Sequence, residues 1–314
     1  MPNFLHRHPQ FDDLIRIVAG DRGIDPALVE KDYWIMHCLF GLQQLGLRFE
    51  LKGGTSLSKG YGVIDRFSED IDLRIEPDAE RGVATRPNQT KAAHVQSRRD
   101  FYDWLTETIV IDGIVSVTRD VSFDDTRYYR GGGIRLAYAP IGGGIEGLKD
   151  GILLEVGFDT VTPNEAVTIS SWAYDYAADR VQIADNRAKE VACYHPGYTL
   201  VEKLQAISTK YRNQQDTGVF PPNFMRHYYD VYCLLRTPAV QSFIGSEAYH
   251  SHKAARFPKA DNPDIAENEA FRLREEATRA ELSAAYAKSA ALYYNGQPSF
   301  DDILAGISKW SDRL

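Results

Sequence analysis

The chain has 314 residues, 43% hydrophobic and 25% charged, which excludes a disordered chain and supplies a core for one large domain or two ordinary ones. Thirty-six basic residues against forty-four acidic ones give a net charge of −8, arguing against a broadly basic nucleic-acid coat while leaving room for a local basic groove. Three widely separated cysteines, Cys38, Cys193 and Cys233, form no C-x-x-C pair, which argues against a disulfide framework or a structural zinc site and makes the cytoplasm the expected compartment.

No uninterrupted apolar run approaches the ~18 residues of a membrane helix, so no membrane partner is expected. The first ten residues show no apolar segment of the secretory kind. The first clear helix spans Pro26 to about Gly46. Asp25 caps it, Pro26 takes the first helical position, Leu28, Tyr33, Ile35, Leu39 and Leu42 form an apolar side, and Gly46 ends it. A short strand follows at Arg48–Lys52, then Gly53-Gly54 and a short helix near Ser56–Lys59. Glu69–Ile75 alternates strictly, with Ile71, Leu73 and Ile75 on one side and Asp70, Asp72 and Arg74 on the other, the pattern of a strand.

Pro77–Gln89 reads as loop and Ala92–Val110 as helix. Ile111–Val121, Arg127–Ala139 and Gly151–Asp159 read as strands. Gly131-Gly132-Gly133 and Gly142-Gly143-Gly144 read as turns between or within them. After about residue 190 helix dominates: Tyr198–Arg212, Pro222–Arg236, Val240–Ala255, Ala266–Leu292 and Phe300–Trp310, with Arg256–Pro263 as a loop. The expectation is an α+β core over residues 1–190 and an all-helical domain over 191–314, the boundary falling near 185–195.

The chemistry concentrates between Leu51 and Ile75, LKGGTSLSKGYGVIDRFSEDIDLRI. A strand ending in Gly53-Gly54 and a helix starting at Thr55 or Ser56 present backbone N–H groups and a helix N-terminus to an anion. The Thr55 and Ser56 hydroxyls add donors. Asp70 and Asp72, two apart on a strand, share a face. Paired carboxylates repel unless a cation stands between them, and oxygen ligands of this kind suit Mg²⁺ or Mn²⁺. Taken singly, a glycine pair is commonly a turn and a D-x-D a solvated face. Together and in this order they are the equipment of phosphoryl or nucleotidyl transfer. Lys59 and Arg66 flank the cradle, placed to meet phosphate or to pair with Asp65 or Glu69.

This stretch resembles the nucleotidyltransferase superfamily to which DNA polymerase β belongs, whose signature is a glycine pair followed by D-x-D. More narrowly, KGGTSLSKGY followed by RFSEDIDL is similar to the AbiEii/AbiGii abortive-infection toxin family. Fifteen residues separate Gly54 from Asp70, slightly more than the general superfamily pattern, and the narrower family accommodates them through its R-x-S-E-D insertion, here Arg66, Ser68, Glu69 and Asp70. The resemblance implies a polymerase β-like core with a mixed sheet, a helical domain behind it and an active cleft between the two. It also implies a third carboxylate on a neighbouring strand. The candidates are Glu155, embedded in the apolar run Gly151–Asp159 where an unpaired charge is costly, and Asp159.

Two later patterns echo the same family. Glu202-Lys203-Leu204-Gln205-Ala206 matches its K-L-x-A pattern, and Arg226-His-Tyr-Tyr-Asp230-Val-Tyr232 matches R-D-x-Y-D-L with His227 in place of the usual Asp. The resemblance implies that Lys203 reaches the triphosphate and that Asp230 lies near the same cleft. Read on their own, Lys203 projects from an apolar stripe and must snorkel or meet an anion, and Asp230 can pair with Arg226 one turn away.

The resulting expectation is an NTP-dependent, Mg²⁺- or Mn²⁺-requiring nucleotidyltransferase that releases pyrophosphate. The nucleotide is bound by Gly53, Gly54, Thr55, Ser56, Lys59, Arg66 and Lys203. The resemblance implies the toxin of a type IV toxin–antitoxin pair, acting on RNA (a tRNA 3′ end) or on a protein hydroxyl, with a cognate antitoxin encoded nearby. Two alternatives stay open: a small-molecule nucleotidyltransferase or phosphotransferase, and a catalytically inactive nucleotide- or RNA-binding module. Basic residues interleaved with Tyr198, Tyr211, Tyr228, Tyr229 and Tyr232 suit either stacking on a nucleic-acid strand or an ordinary packed helix pair.

Overall fold

A computed structural model describes residues 2–143 and 148–314. Its first long element, helix α1 (Phe11–Arg22), has no counterpart among the elements expected from sequence. It starts with Asp12 and Asp13 in its first turn, ends with Arg22 in its last, and stops at Gly23, whose φ of 67° is left-handed. Helix α2 (Pro26–Gln44) has the expected start, the Asp25 side chain accepting from Ala27 N. It is buried almost all round, because α1, the strands Ile152–Gly157 and Ala188–Tyr194 and the helix Trp172–Ala177 pack against it. Glu30, Lys31 and Asp32 are therefore buried along with the apolar residues.

Strand β1 (Phe49–Lys52) runs into a helical turn, α3 (Gly53–Thr55), which continues as a wider turn over Ser56–Gly60. The turn thus begins at Gly53, two or three residues before the expected start at Thr55 or Ser56. Strand β2 (Asp70–Ile75) alternates as its sequence does, with Ile71, Leu73 and Ile75 buried. Helix α4 (Ala92–Thr108), β3 (Ile114–Asp120), β4 (Gly131–Tyr138) and β5 (Ile152–Gly157) follow. Gly131-Gly132-Gly133 is the first half of β4, not a turn. A Cβ at Gly132 would come within 2.7 Å of the Tyr102 ring and one at Gly133 within 2.5 Å of the Asp120 carbonyl oxygen, so close packing explains the cluster. Of the second cluster, Gly144 lies outside the described residues.

Strands β6 (Asn164–Ile169) and β7 (Ala188–Tyr194), with α5 (Trp172–Ala177) between them, are additions to the expected elements. They complete a seven-stranded mixed sheet in the order β3-β4-β5-β2-β1-β7-β6. The β1–β7 and β2–β5 pairs are parallel and the rest antiparallel. Paired positions place Lys52 beside Asp72 and Asp72 beside Glu155, so the acidic residues collect in the middle of the sheet.

The chain forms two compact units. One runs up to Gly60 and resumes over Phe67–Tyr194; the other comprises Tyr61–Arg66 and His195–Leu314. The second unit is helical: α6 (Pro196–Thr217), α7 (Phe224–Leu234), α8 (Pro238–Phe243), α9 (Glu247–Arg256), α10 (Glu269–Arg272), α11 (Glu276–Ala287) and α12 (Phe300–Ser308). The single helix expected over Val240–Ala255 is divided at Gly245, φ 82°, with Ser246 capping α9. The one expected over Ala266–Leu292 breaks where Leu273 adopts φ 43°. Leu200, Leu204, Tyr228, Val231, Leu234 and Ile303 form its core. Tyr228 is fully buried with its hydroxyl donating to the Ala270 carbonyl at 2.6 Å, and Tyr229 is 4% exposed. These two tyrosines pack the interior and do not offer stacking faces.

Candidate active site

The turn after β1 depends on glycine for two reasons. Gly53 has φ 71°, and a Cβ there would lie 1.8 Å from Asp72 Oδ2. The missing side chain is the space the carboxylate occupies. Thr55 donates its hydroxyl to the Asp70 carbonyl oxygen, fastening the turn to the acidic strand. Ser56 is fully buried, and Cys193 of β7 has its thiol pushed up to about 12 chiefly by burial. Among the predicted cradle residues, Gly53 and Gly54 form the turn, the Thr55 hydroxyl secures it from behind, and Ser56 is buried beneath it.

Asp70 and Asp72 emerge on the same face of β2, and Glu155 of β5 stands at the position paired with Asp72. Burial, and after it the charges of Asp72 and Asp70, push the Glu155 carboxyl up to about 7 against the pull of Lys149 and Lys52. The cluster holds more negative charge than its surroundings offset. Asp159 lies beyond the end of β5, 58% exposed, with Lys52 Nζ 3.8 Å away. Of the two candidates for a third carboxylate, Glu155 is the one in register with the pair.

Lys149 is a further participant, one without a motif to announce it. Its ammonium sits 2.9 and 2.8 Å from the two Asp70 oxygens, while its backbone N–H donates to Glu69 Oε2 at 2.8 Å. Glu69 also receives the Lys31 ammonium at 3.2 Å, both side chains being at most 2% exposed, and Lys31 donates in addition to the Lys149 carbonyl. The one available signal was the Glu30-Lys31-Asp32 triplet, which places three successive charges on a helix that is otherwise apolar. Lys59 is drawn into the same framework: its ammonium lies 2.7 Å from buried Asp32, which also accepts from Trp172 N at 2.8 Å. Its partner is neither Asp65 nor Glu69.

Arg66, Lys203 and Asp230 come together within the helical unit. Arg66 grips Asp230 with two parallel bonds of 2.7 Å, and Lys203 Nζ lies 3.0 Å from Asp230 Oδ2. Asp230 is fully buried. Burial alone would raise its carboxyl, but Arg66 and Lys203 override that and hold it well below the usual carboxylate range. Asp230 thus has two cationic partners from outside its own helix, Arg66 and Lys203.

Three carboxylates on neighbouring strands form an all-oxygen donor set, the kind a hard divalent cation accepts. Their shared side of the sheet, with Glu155 in register with Asp72, suits such an ion by donor chemistry. Among the described residues, no three acidic, histidine or cysteine side chains already converge into a finished metal site.

The glycine turn, the acidic strand and the mixed sheet agree with the nucleotidyltransferase class expected from the sequence resemblance. The chain belongs to the family described as the nucleotidyl transferase AbiEii toxin of type IV toxin–antitoxin systems, whose family model matches residues 34–306. Among solved structures, the chain is similar to an antigenic nucleotidyltransferase-like protein from Paracoccidioides brasiliensis. The identity is 16% and the TM-score 0.35, over 85% of this chain and 98% of that one. No match is found among curated proteins. No helix among the described residues is long and apolar enough to cross a membrane.

Proposed function

We propose that the protein transfers a nucleotide from a nucleoside triphosphate to a hydroxyl of RNA, such as a tRNA 3′ end, or of a protein, and releases pyrophosphate. The observation that carries this reading is the fit of Asp72 into the space left by Gly53, with Glu155 at the paired position on the next strand. In this reading Asp70, Asp72 and Glu155 hold divalent cations. Mg²⁺ or Mn²⁺ bound there supplies neutralisation of charge at the α-phosphate and on the leaving pyrophosphate. The backbone of Gly53 and Gly54 receives phosphate oxygens. Thr55, fastened to Asp70, and Lys59, fastened to Asp32, keep the turn from shifting as charge develops. Lys203 and Arg66 are proposed as nucleotide-binding residues on their family patterns, with Asp230 orienting both. Membership of a type IV toxin family implies a cognate antitoxin as partner.

The test is incubation with each labelled triphosphate, Mg²⁺ and total tRNA, followed by separation of RNA and protein. Label is expected in one macromolecular fraction, and Asp70→Ala should abolish it while circular dichroism stays unchanged. Absence of transfer with every nucleotide would overturn the proposal.

A further inference from the structure

We infer that Lys149 is a resident counter-ion of the carboxylate cluster, and that a divalent cation enters by exchange with its ammonium. The inference rests on the functional reading above and adds a residue that this reading leaves without a role. Lys149 bridges both oxygens of Asp70 at 2.9 and 2.8 Å, the carboxylate that opens the D-x-D. It is not a surface lysine settled on the nearest acid. Its main chain is held on both sides, by the bond from its N–H to Glu69 and by the Lys31 ammonium at its carbonyl, and the Lys31–Glu69 pair behind it is buried. Glu69 and Asp70, adjacent in sequence, thus take the backbone and the side chain of one residue.

This arrangement fixes where the lysine starts and leaves its end movable. The ammonium is a compact point charge on a flexible four-carbon stem. The Lys149 side chain is 27% exposed, so rotation about the stem carries the charge from Asp70 to water while the backbone bonds stay made. In the metal-free protein the ammonium offsets part of the repulsion among Asp70, Asp72 and Glu155. A cation arriving at Asp70 must displace it. Measured affinity for the ion is then the intrinsic affinity multiplied by the fraction of molecules in which Asp70 is free of the ammonium.

The experiment titrates Mn²⁺ into the full-length protein, following free Mn²⁺ by electron paramagnetic resonance, with thermal unfolding of the metal-free and metal-saturated forms in parallel. Lys149→Met is expected to bind Mn²⁺ about tenfold more tightly than the parent, to unfold at a lower temperature without metal, and to gain more on metal addition. Lys149→Arg, which keeps a competing charge, should retain the parent's affinity. Asp70→Asn in the Lys149→Met background should lose the gain. Equal or weaker Mn²⁺ binding by Lys149→Met overturns the exchange and leaves the functional reading standing. Failure of parent and Lys149→Met alike to bind Mn²⁺ overturns both.

Discussion

Asp72 and Glu155 occupy paired positions on adjacent parallel strands, a spacing at which two ionised carboxylates repel strongly in a half-buried setting. The metal-free fold carries that repulsion as a cost. Asp72→Asn and Glu155→Gln should each reduce nucleotide transfer by on the order of 10²–10³-fold and at the same time raise the unfolding temperature of the metal-free protein. Transfer assays and differential scanning fluorimetry on the same samples check both. An inactive variant with a lowered melting temperature would show that the carboxylates are structural.

Gly53→Ala meets two obstacles, the positive φ of 71° and the Asp72 oxygen 1.8 Å from the new Cβ. The backbone cost is about 1–3 kcal/mol, and the carboxylate must turn away from its present position. Activity should fall to the level of Asp72→Asn while the chain remains folded. Gly20→Ala, where nothing lies within 4 Å, serves as the matched control and should leave transfer unchanged.

Asp230 neutralises two cations in the interior of the helical unit. Asp230→Ala leaves the Arg66 guanidinium, 3% exposed, without its carboxylate, and should destabilise the protein by about 3–5 kcal/mol. Combining it with Arg66→Met should recover part of the loss, since the more deeply buried of the two cations left without a carboxylate is removed. Urea denaturation of the single and double variants measures the recovery.

His37 sets an acid limit on stability. Its Nδ1 accepts from the Asn186 amide at 2.8 Å and its Nε2 donates to the Asp112 carbonyl at 2.9 Å, an arrangement that only the neutral ring satisfies. Burial, and then the neighbouring His6, lower it to about 4, against the hydrogen bond and charge of Asp112. The unfolded chain therefore binds the extra proton first. Stability from this group is complete above about pH 6.5 and is lost as pH falls toward 4, at up to about 1.4 kcal/mol per pH unit. His37→Asn should flatten the fall of unfolding free energy between pH 6.5 and 4.5 by close to one proton, whatever it costs at neutral pH.

The parts legible in sequence are those set by short-range pattern. Strict alternation marks β2 and the face its aspartates share, and Asp25-Pro26 marks the start of α2. The unread parts depend on distant partners. Strand β6 is a six-residue element whose first five positions are exposed or half-exposed, too weak a pattern to separate from loop. Leu273 breaks the expected long helix by adopting a conformation its residue type disfavours. The contact between Lys149 and Asp70 spans 79 residues, and no local rule connects them. The fifteen residues between Gly54 and Asp70 include Arg66, whose guanidinium belongs to Asp230, 164 residues away.

That loan of six residues, Tyr61–Arg66, has a practical side. Cutting the chain between Tyr194 and His195 would not yield two self-sufficient fragments. The C-terminal piece would be born with a buried anion short of its strongest cation, and it should express poorly unless the hexapeptide is grafted onto it. Moving the helical part of this chain as a unit means moving a stitch of sequence from between the glycine pair and the acidic strand as well.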